Sequence, residues 1–194
     1  MSIGLIVGLL LFTLLAAGSF GAYPQRRFGI RQDAILTANN QMENKNAIYS
    51  YVFELYLAKN PRLDTGLSFG YGGLSSNTTT YNANYDMIQA GLGLRYYFDE
   101  RAETAKTFHV FQRYASLDGN LYLSSRYQTI TATSPSSLFG FGAKAGLGAE
   151  YVFGPHSNGF LEGSCLLTDI KSTDSAYSLP LSGFILAFGI RLSP

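Results

Sequence analysis

The stretch that decides the fold is Phe139-Gly140-Phe141-Gly142-Ala143-Lys144-Ala145-Gly146-Leu147-Gly148-Ala149-Glu150-Tyr151-Val152-Phe153. Its odd positions, Phe139, Phe141, Ala143, Ala145, Leu147, Ala149, Tyr151 and Phe153, are all apolar. The even positions are glycine or charge until Val152. A helix would scatter these glycines around its surface, each costing about 1 kcal/mol relative to alanine. A strand places every apolar residue on one face and glycine or charge on the other. The segment therefore reads as a strand with one apolar face.

Working outward, the same alternation recurs. Tyr49, Tyr51, Phe53, Leu55 and Leu57 oppose Ser50, Val52, Glu54, Tyr56 and Ala58. Leu63, Thr65, Leu67, Phe69 and Tyr71 oppose Asp64, Gly66, Ser68, Gly70 and Gly72. Ile88 to Phe98 and Phe184 to Leu192 repeat it, with Arg95 and Arg191 on the glycine side. Weaker strands are expected at 28–37, 159–168 and 107–131. The last is too long for one ordinary strand, so a bulge or an extension is expected there. Together these make an all-β chain of eight strands.

Composition narrows the setting. The chain has 194 residues, of which 46% are hydrophobic and 14% charged, well short of the roughly 25% charge of a soluble domain. Mean hydropathy is +0.06, and with 14 Tyr and 14 Phe the chain is too apolar for intrinsic disorder. A net charge of +1 offers no electrostatic basis for binding nucleic acid. The one cysteine, Cys165, excludes an internal disulfide framework and a Cys-based zinc cluster. No cofactor is expected.

Ile3 to Ala17 carries no charge, and small residues follow it through Ala22. Residues 1–22 read as an export signal, although no Lys or Arg precedes the apolar run. A retained membrane helix is the competing reading, since Ile3 to Ala22 is long enough to span. Either reading places 23–194 outside the cytoplasm.

The connections alternate in length. Lys59-Asn60-Pro61-Arg62 and Gly154-Pro155-His156-Ser157-Asn158 are tight, and Asp99 to Lys106 is intermediate. Longer polar stretches are expected at 39–46, 74–84, 132–137 and 169–180. Such alternation suits an antiparallel up-and-down transmembrane β-barrel with short turns at one end and long outer loops at the other. With its leader and eight strands, the chain resembles the small eight-stranded bacterial outer-membrane β-barrel family over about 28–192. That resemblance implies an outer-membrane location, lipid partners and a closed barrel, monomeric or assembled with neighbours. Two features depart from the family. The chain ends on Arg191-Leu192-Ser193-Pro194 instead of an aromatic residue, and it has no Trp. An interfacial girdle must then be built from Tyr49, Tyr85, Tyr96, Phe98, Tyr151 and Phe153, which lie near strand ends.

By parity Glu54, Arg95, Lys144, Glu150 and Arg191 face the lumen, with Glu162 and Arg126 less firmly placed. Buried charges are costly unless paired, so a salt-bridge network filling the barrel is expected. A polar pore is the sharper alternative. Adjacent His156 and Ser157 are similar to the His/Ser pair of the barrel enzymes that deacylate lipid A. That family, however, separates the two by one residue and sets them on the outer side. Here turn chemistry explains them better. His109 reads as a rim residue, and Cys165 as a small outward hydrophobe. No catalytic or metal-binding set emerges, so enzyme activity is not expected. The expected function is a structural or surface-interaction role, with the outer loops offered to extracellular or envelope partners. A narrow channel for ions or small amphiphiles is one alternative. A soluble lipocalin-like carrier, with the apolar face turned inward, is another.

Overall fold

The computed structural model describes residues 26–37, 47–77, 82–99, 110–129, 135–154, 156–173, 178–179 and 183–193. The apolar N-terminal segment 1–22, the loop 39–46 and His109 lie outside the described residues. The strands are β1 (Arg26–Thr37), β2 (Ala47–Asn60), β3 (Leu63–Asn77), β4 (Asn82–Tyr97), β5 (Val110–Thr129), β6 (Ser137–Gly154), β7 (Ser157–Ser172), β8 (Ser178–Leu179) and β9 (Gly183–Leu192). All pairings are antiparallel. Each long strand pairs with its sequence neighbour, β7 pairs with β9, and β1 pairs with β9 to close the ring. The two-residue β8 folds back onto Ile170 and Lys171 of β7. The result is the expected closed eight-stranded barrel. In hydrocarbon every backbone polar group needs a partner within the protein, and only closure removes the sheet edges.

Alternation sets the two faces. Phe28, Ile30, Phe53, Phe69, Leu92, Leu94, Phe141, Leu147, Leu161, Leu167, Phe188 and Ile190 are exposed on the outer wall. Arg31, Glu54, Arg95, Lys144, Glu150 and Arg191 are buried inside. This excludes the lipocalin-like alternative, in which the apolar face would line the cavity. An outer wall this apolar is stable only against lipid chains. The stretch of β4 from Tyr96 to Asp86 rises roughly 25 Å, at ~3.4 Å per residue and a tilt of ~40°, which matches the thickness of an outer-membrane apolar band.

The short-turn end is tightly tied. Asn60 Oδ1 accepts from Arg62 N at 2.9 Å and Leu63 N at 2.8 Å, holding the β2–β3 turn. His156 lies in the β6–β7 turn, as expected. There His156 Nδ1 and Ser193 O are 2.8 Å apart, and Ser193 N donates to His156 O at 2.9 Å. These bonds fasten the end of β9 to that turn.

At the long-loop end the strands run further than their polar sequence suggests. The expected loop 74–84 is mostly ladder, with Leu74 paired to Tyr85 and Asn77 to Asn82. Likewise β7 continues to Ser172, beyond the expected start of the 169–180 loop. Here backbone pairing with an adjacent strand outweighs the weak β-propensity of Ser and Asn. The region 107–131 contains the single 20-residue strand β5. Its register shifts opposite Asn84/Tyr85, leaving Tyr127 as the extra residue. The expected extension and the expected bulge are both present, and the bulge sits so near the tip that inward parity holds from Gln112 to Ser124.

Candidate functional site in the barrel lumen

The lumen has two layers. In the half nearer the short turns, charged groups from almost every strand converge. Glu54 of β2 accepts from Arg95 Nη2 of β4 at 2.7 and 2.9 Å, from Arg31 Nη1 of β1 at 2.5 Å and from Arg191 Nε of β9 at 3.3 Å. Glu150 of β6 is contacted by Arg191, by Arg27 Nη1 at 3.2 Å and by Tyr97 Oη at 2.6 Å. Asn158, the second residue of β7, adds a bond from its Nδ2 to Glu150 Oε2 at 3.1 Å. Lys144 Nζ bridges Asp118 Oδ2 at 2.7 Å and Glu162 Oε1 at 3.0 Å, and Tyr114 Oη donates to Glu162 at 3.0 Å. Arg31 also pairs with Asp33 at 2.6 Å.

Several of these bonds join strands that are not neighbours in the sheet: Arg95–Glu54 joins β4 with β2, Arg191–Glu54 β9 with β2, Arg27–Glu150 β1 with β6 and Tyr97–Glu150 β4 with β6. Only side chains crossing the barrel interior can make them. Aromatic rings complete the packing, since the Arg95 guanidinium sits 3.8 Å from the Tyr56 ring centre and that of Arg191 sits 3.5 Å from Phe160. Such stacking suits the planar, weakly hydrated guanidinium. The glycines opposite are structural necessities. A Cβ on Gly66 would lie 2.5 Å from Leu55 O and 2.6 Å from the Tyr56 ring, and one on Gly148 would lie 2.3 Å from the Tyr114 ring. Large and small residues thus interlock across the lumen.

The half nearer the long loops is mainly apolar, with Ser50, Gln89 and Ser124 buried beside the apolar side chains. Ile35, Leu74, Met87, Leu138, Leu166, Ile170 and Ile185 pack with Tyr85 and Tyr122 into one buried cluster. Tyr85 corrects the sequence reading: it belongs to the lumen, not to the interfacial girdle, and is 0% exposed. Its parity on β4 matches Met87, Gln89 and Arg95, all inward. Its hydroxyl donates to Pro135 O at 3.2 Å, just before β6. The other aromatics, Tyr49, Tyr96, Phe98 and Phe153, stand exposed on the outer wall, while Tyr151 is half-buried with its ring 4.9 Å from Phe111.

All five lumen residues singled out from sequence, Glu54, Arg95, Lys144, Glu150 and Arg191, lie in the charged layer, and Glu162 joins them. Arg126 is only half-buried, opposite Tyr85 near the β5 bulge. Sequence reasoning missed Arg27, Arg31, Asp33, Asp64 and Asp118, all buried inside. The signal was present in β1, where Arg27, Arg31 and Asp33 share the parity of Gly29 while Phe28 and Ile30 face out. It was hidden by the polar Gln32 on the outer face. Asp118 lay in the segment whose register was open. Among the described residues the lumen holds five cations and six carboxylates, so it is close to neutral as a whole. Cys165 is exposed on the outer wall. Among the described residues no group of three or more His, Cys, Asp or Glu is placed to hold a metal ion.

No protein-family model matches the chain, and no curated protein matches its sequence. Solved structures match its shape. Neisserial surface protein A aligns with a TM-score of 0.55 at 13% identity, covering 87% of this chain and 96% of that one. The N-terminal β-barrel domain of Pseudomonas aeruginosa OprF aligns with a TM-score of 0.44 at 13% identity, covering 88% and 99%. Ail, the attachment invasion locus protein of Yersinia pestis, aligns with a TM-score of 0.40 at 10% identity, covering 90% and 98%. The first of these likenesses shows the fold. The chain has the architecture of the small eight-stranded bacterial outer-membrane β-barrels.

Proposed function

We propose that the chain is an integral protein of a bacterial outer membrane, acting as a sealed structural barrel that presents its long-loop end for surface contacts. The observation that carries this reading is the filled lumen. An ion-pair layer that links non-neighbouring strands lies beneath an apolar layer in which Tyr85 bonds to Pro135 O. A conducting pore needs a continuous wet path, and among the described residues buried side chains occupy both layers of the lumen. Membrane lipids are the obligatory surroundings, and a monomer suffices because closure leaves no sheet edge to be paired. The reading assigns the barrel no enzymatic activity and no nucleic-acid partner.

Contacts with extracellular or envelope partners fall to the long-loop end. There the outer wall turns polar, with Asn84 Nδ2 donating to Gln128 Oε1 at 3.1 Å. Reconstitution into planar bilayers tests the proposal. The expected record is silent; discrete, sustained current steps would overturn the sealed barrel in favour of a channel.

A further inference from the structure

Three carboxylates among the described residues stand on the outer wall or its rims: Asp86, Asp99 and Asp169. Asp99 pairs with Arg113 at 3.3 Å, and Asp169 with Lys171 at 2.8 Å. Asp86 of β4 has no cation paired to it among the described residues. Its recorded partner is a phenol, since Tyr71 Oη donates to Asp86 Oδ1 at 2.9 Å.

Other rings crowd the same spot. Gly73 lies directly across from Asp86 in the β3–β4 register, and a Cβ there would come within 3.1 Å of Tyr49 Oη, so the Tyr49 ring leans over that position. On the far side Tyr127, the extra residue of the β5 bulge, faces outward, 55% exposed and diagonal to Asp86 across the β4–β5 ladder. An anion at the upper edge of the apolar band is thus flanked by three phenol rings. Below it Phe53, Phe69 and Ile88 form an exposed hydrocarbon wall.

We propose that Asp86, Tyr49, Tyr71 and Tyr127 form a seat for the ammonium head group of a membrane lipid whose chains lie along the Phe53/Phe69/Ile88 wall. Charge complementarity selects the ligand: the uncompensated carboxylate attracts a cation, and electron-rich ring faces favour an organic ammonium. One carboxylate with phenols is too small a donor set for a bare divalent ion, which takes six or more oxygen ligands when it is calcium. The wall beneath requires that the cation be carried by an amphiphile. An anionic head group is repelled.

This inference rests on the membrane-barrel reading, and its test separates the two. The full chain in neutral detergent is offered equal amounts of phosphatidylethanolamine and phosphatidylglycerol with identical acyl chains. Retained lipid is then counted by native mass spectrometry. The ethanolamine lipid is expected in about two- to five-fold excess over the glycerol lipid, the range an exposed cation–π and charge contact supports. Asp86→Asn should bring the ratio to unity, whereas Asp99→Asn and Asp169→Asn should leave it unchanged. Tyr49→Leu combined with Tyr127→Leu keeps the carboxylate, removes two rings and should also lower the ratio, so the proposal stays testable if Asp86→Asn fails to fold. Equal retention of both lipids, or a preference that survives both variants, would overturn the seat. Displacement of the lipid by an equal concentration of soluble phosphoethanolamine would overturn its assignment to a membrane lipid. Heat-modifiability of the same preparations reports the barrel independently, so a folded barrel without lipid preference sinks only the seat.

Discussion

At the residue scale, the lumen is governed by the cost of isolating a charge. Glu54 receives three guanidinium groups, and removing its charge leaves Arg31, Arg95 and Arg191 buried with too little compensation. Breaking a buried pair from one side costs about 3–5 kcal/mol. Glu54→Gln is therefore expected to lower the urea midpoint of unfolding in lipid vesicles by a corresponding amount. Asp99→Asn, which removes an exposed rim pair, should shift it by no more than about 0.5 kcal/mol. Equal effects for the two would show that the lumen network carries no stability. Sterics give a sharper case at Gly66, where the neighbour that a side chain would strike includes the backbone oxygen of Leu55. A backbone atom cannot rotate away, so Gly66→Val should prevent barrel formation, read as loss of the mobility difference between boiled and unboiled samples.

At the element scale, each strand must satisfy lipid on one face and a packed interior on the other. The outer face of β4 runs Ile88, Ala90, Leu92, Leu94 and Tyr96 between the two rims. Placing a charge in the middle of that band is costly, about 2–4 kcal/mol for arginine at the bilayer midplane and about 0–1 kcal/mol near the interface. Leu92→Arg should thus destabilise the folded protein far more than Tyr96→Arg in the same vesicle assay. Equal costs would place the membrane elsewhere on the wall. The turn elements are held by smaller terms. Asn60 supplies two bonds to the β2–β3 turn, and Asn60→Ala should cost about 1 kcal/mol through their loss.

At the scale of the whole molecule, stability depends on closure. The β1–β9 and β7–β9 ladders make β9 the strand that completes the ring. Deleting 183–194 would expose two edges in hydrocarbon, where each unpaired backbone group costs several kcal/mol. The truncated chain is expected to show no heat-dependent mobility shift and to leave the membrane fraction. A truncated protein that still shifts would mean the remaining strands close without β9. The two-layer lumen acts at this scale as well. Charges from all eight barrel strands cross-brace the short-turn half, while the apolar cluster packs the other.

Much of this was legible in the sequence, because the alternation of apolar with glycine or charged residues is a local, period-two signal. It determined the strands, their lipid and lumen faces, the order of short and long connections, and hence the eight-stranded membrane barrel. It also placed Glu54, Arg95, Lys144, Glu150 and Arg191 inside, since parity needs no knowledge of neighbours. Tertiary structure alone decided which charges meet. Arg27 of β1 reaching Glu150 of β6 depends on strand stagger and closure, which no local pattern encodes. The inward placement of Tyr85, the bulge at Tyr127 and the extension of β3 and β4 through Ser and Asn residues are of the same kind. Each is settled by pairing with a neighbouring strand and by filling the space inside the ring. Local periodicity says which way a side chain points; only the closed barrel says what it finds there.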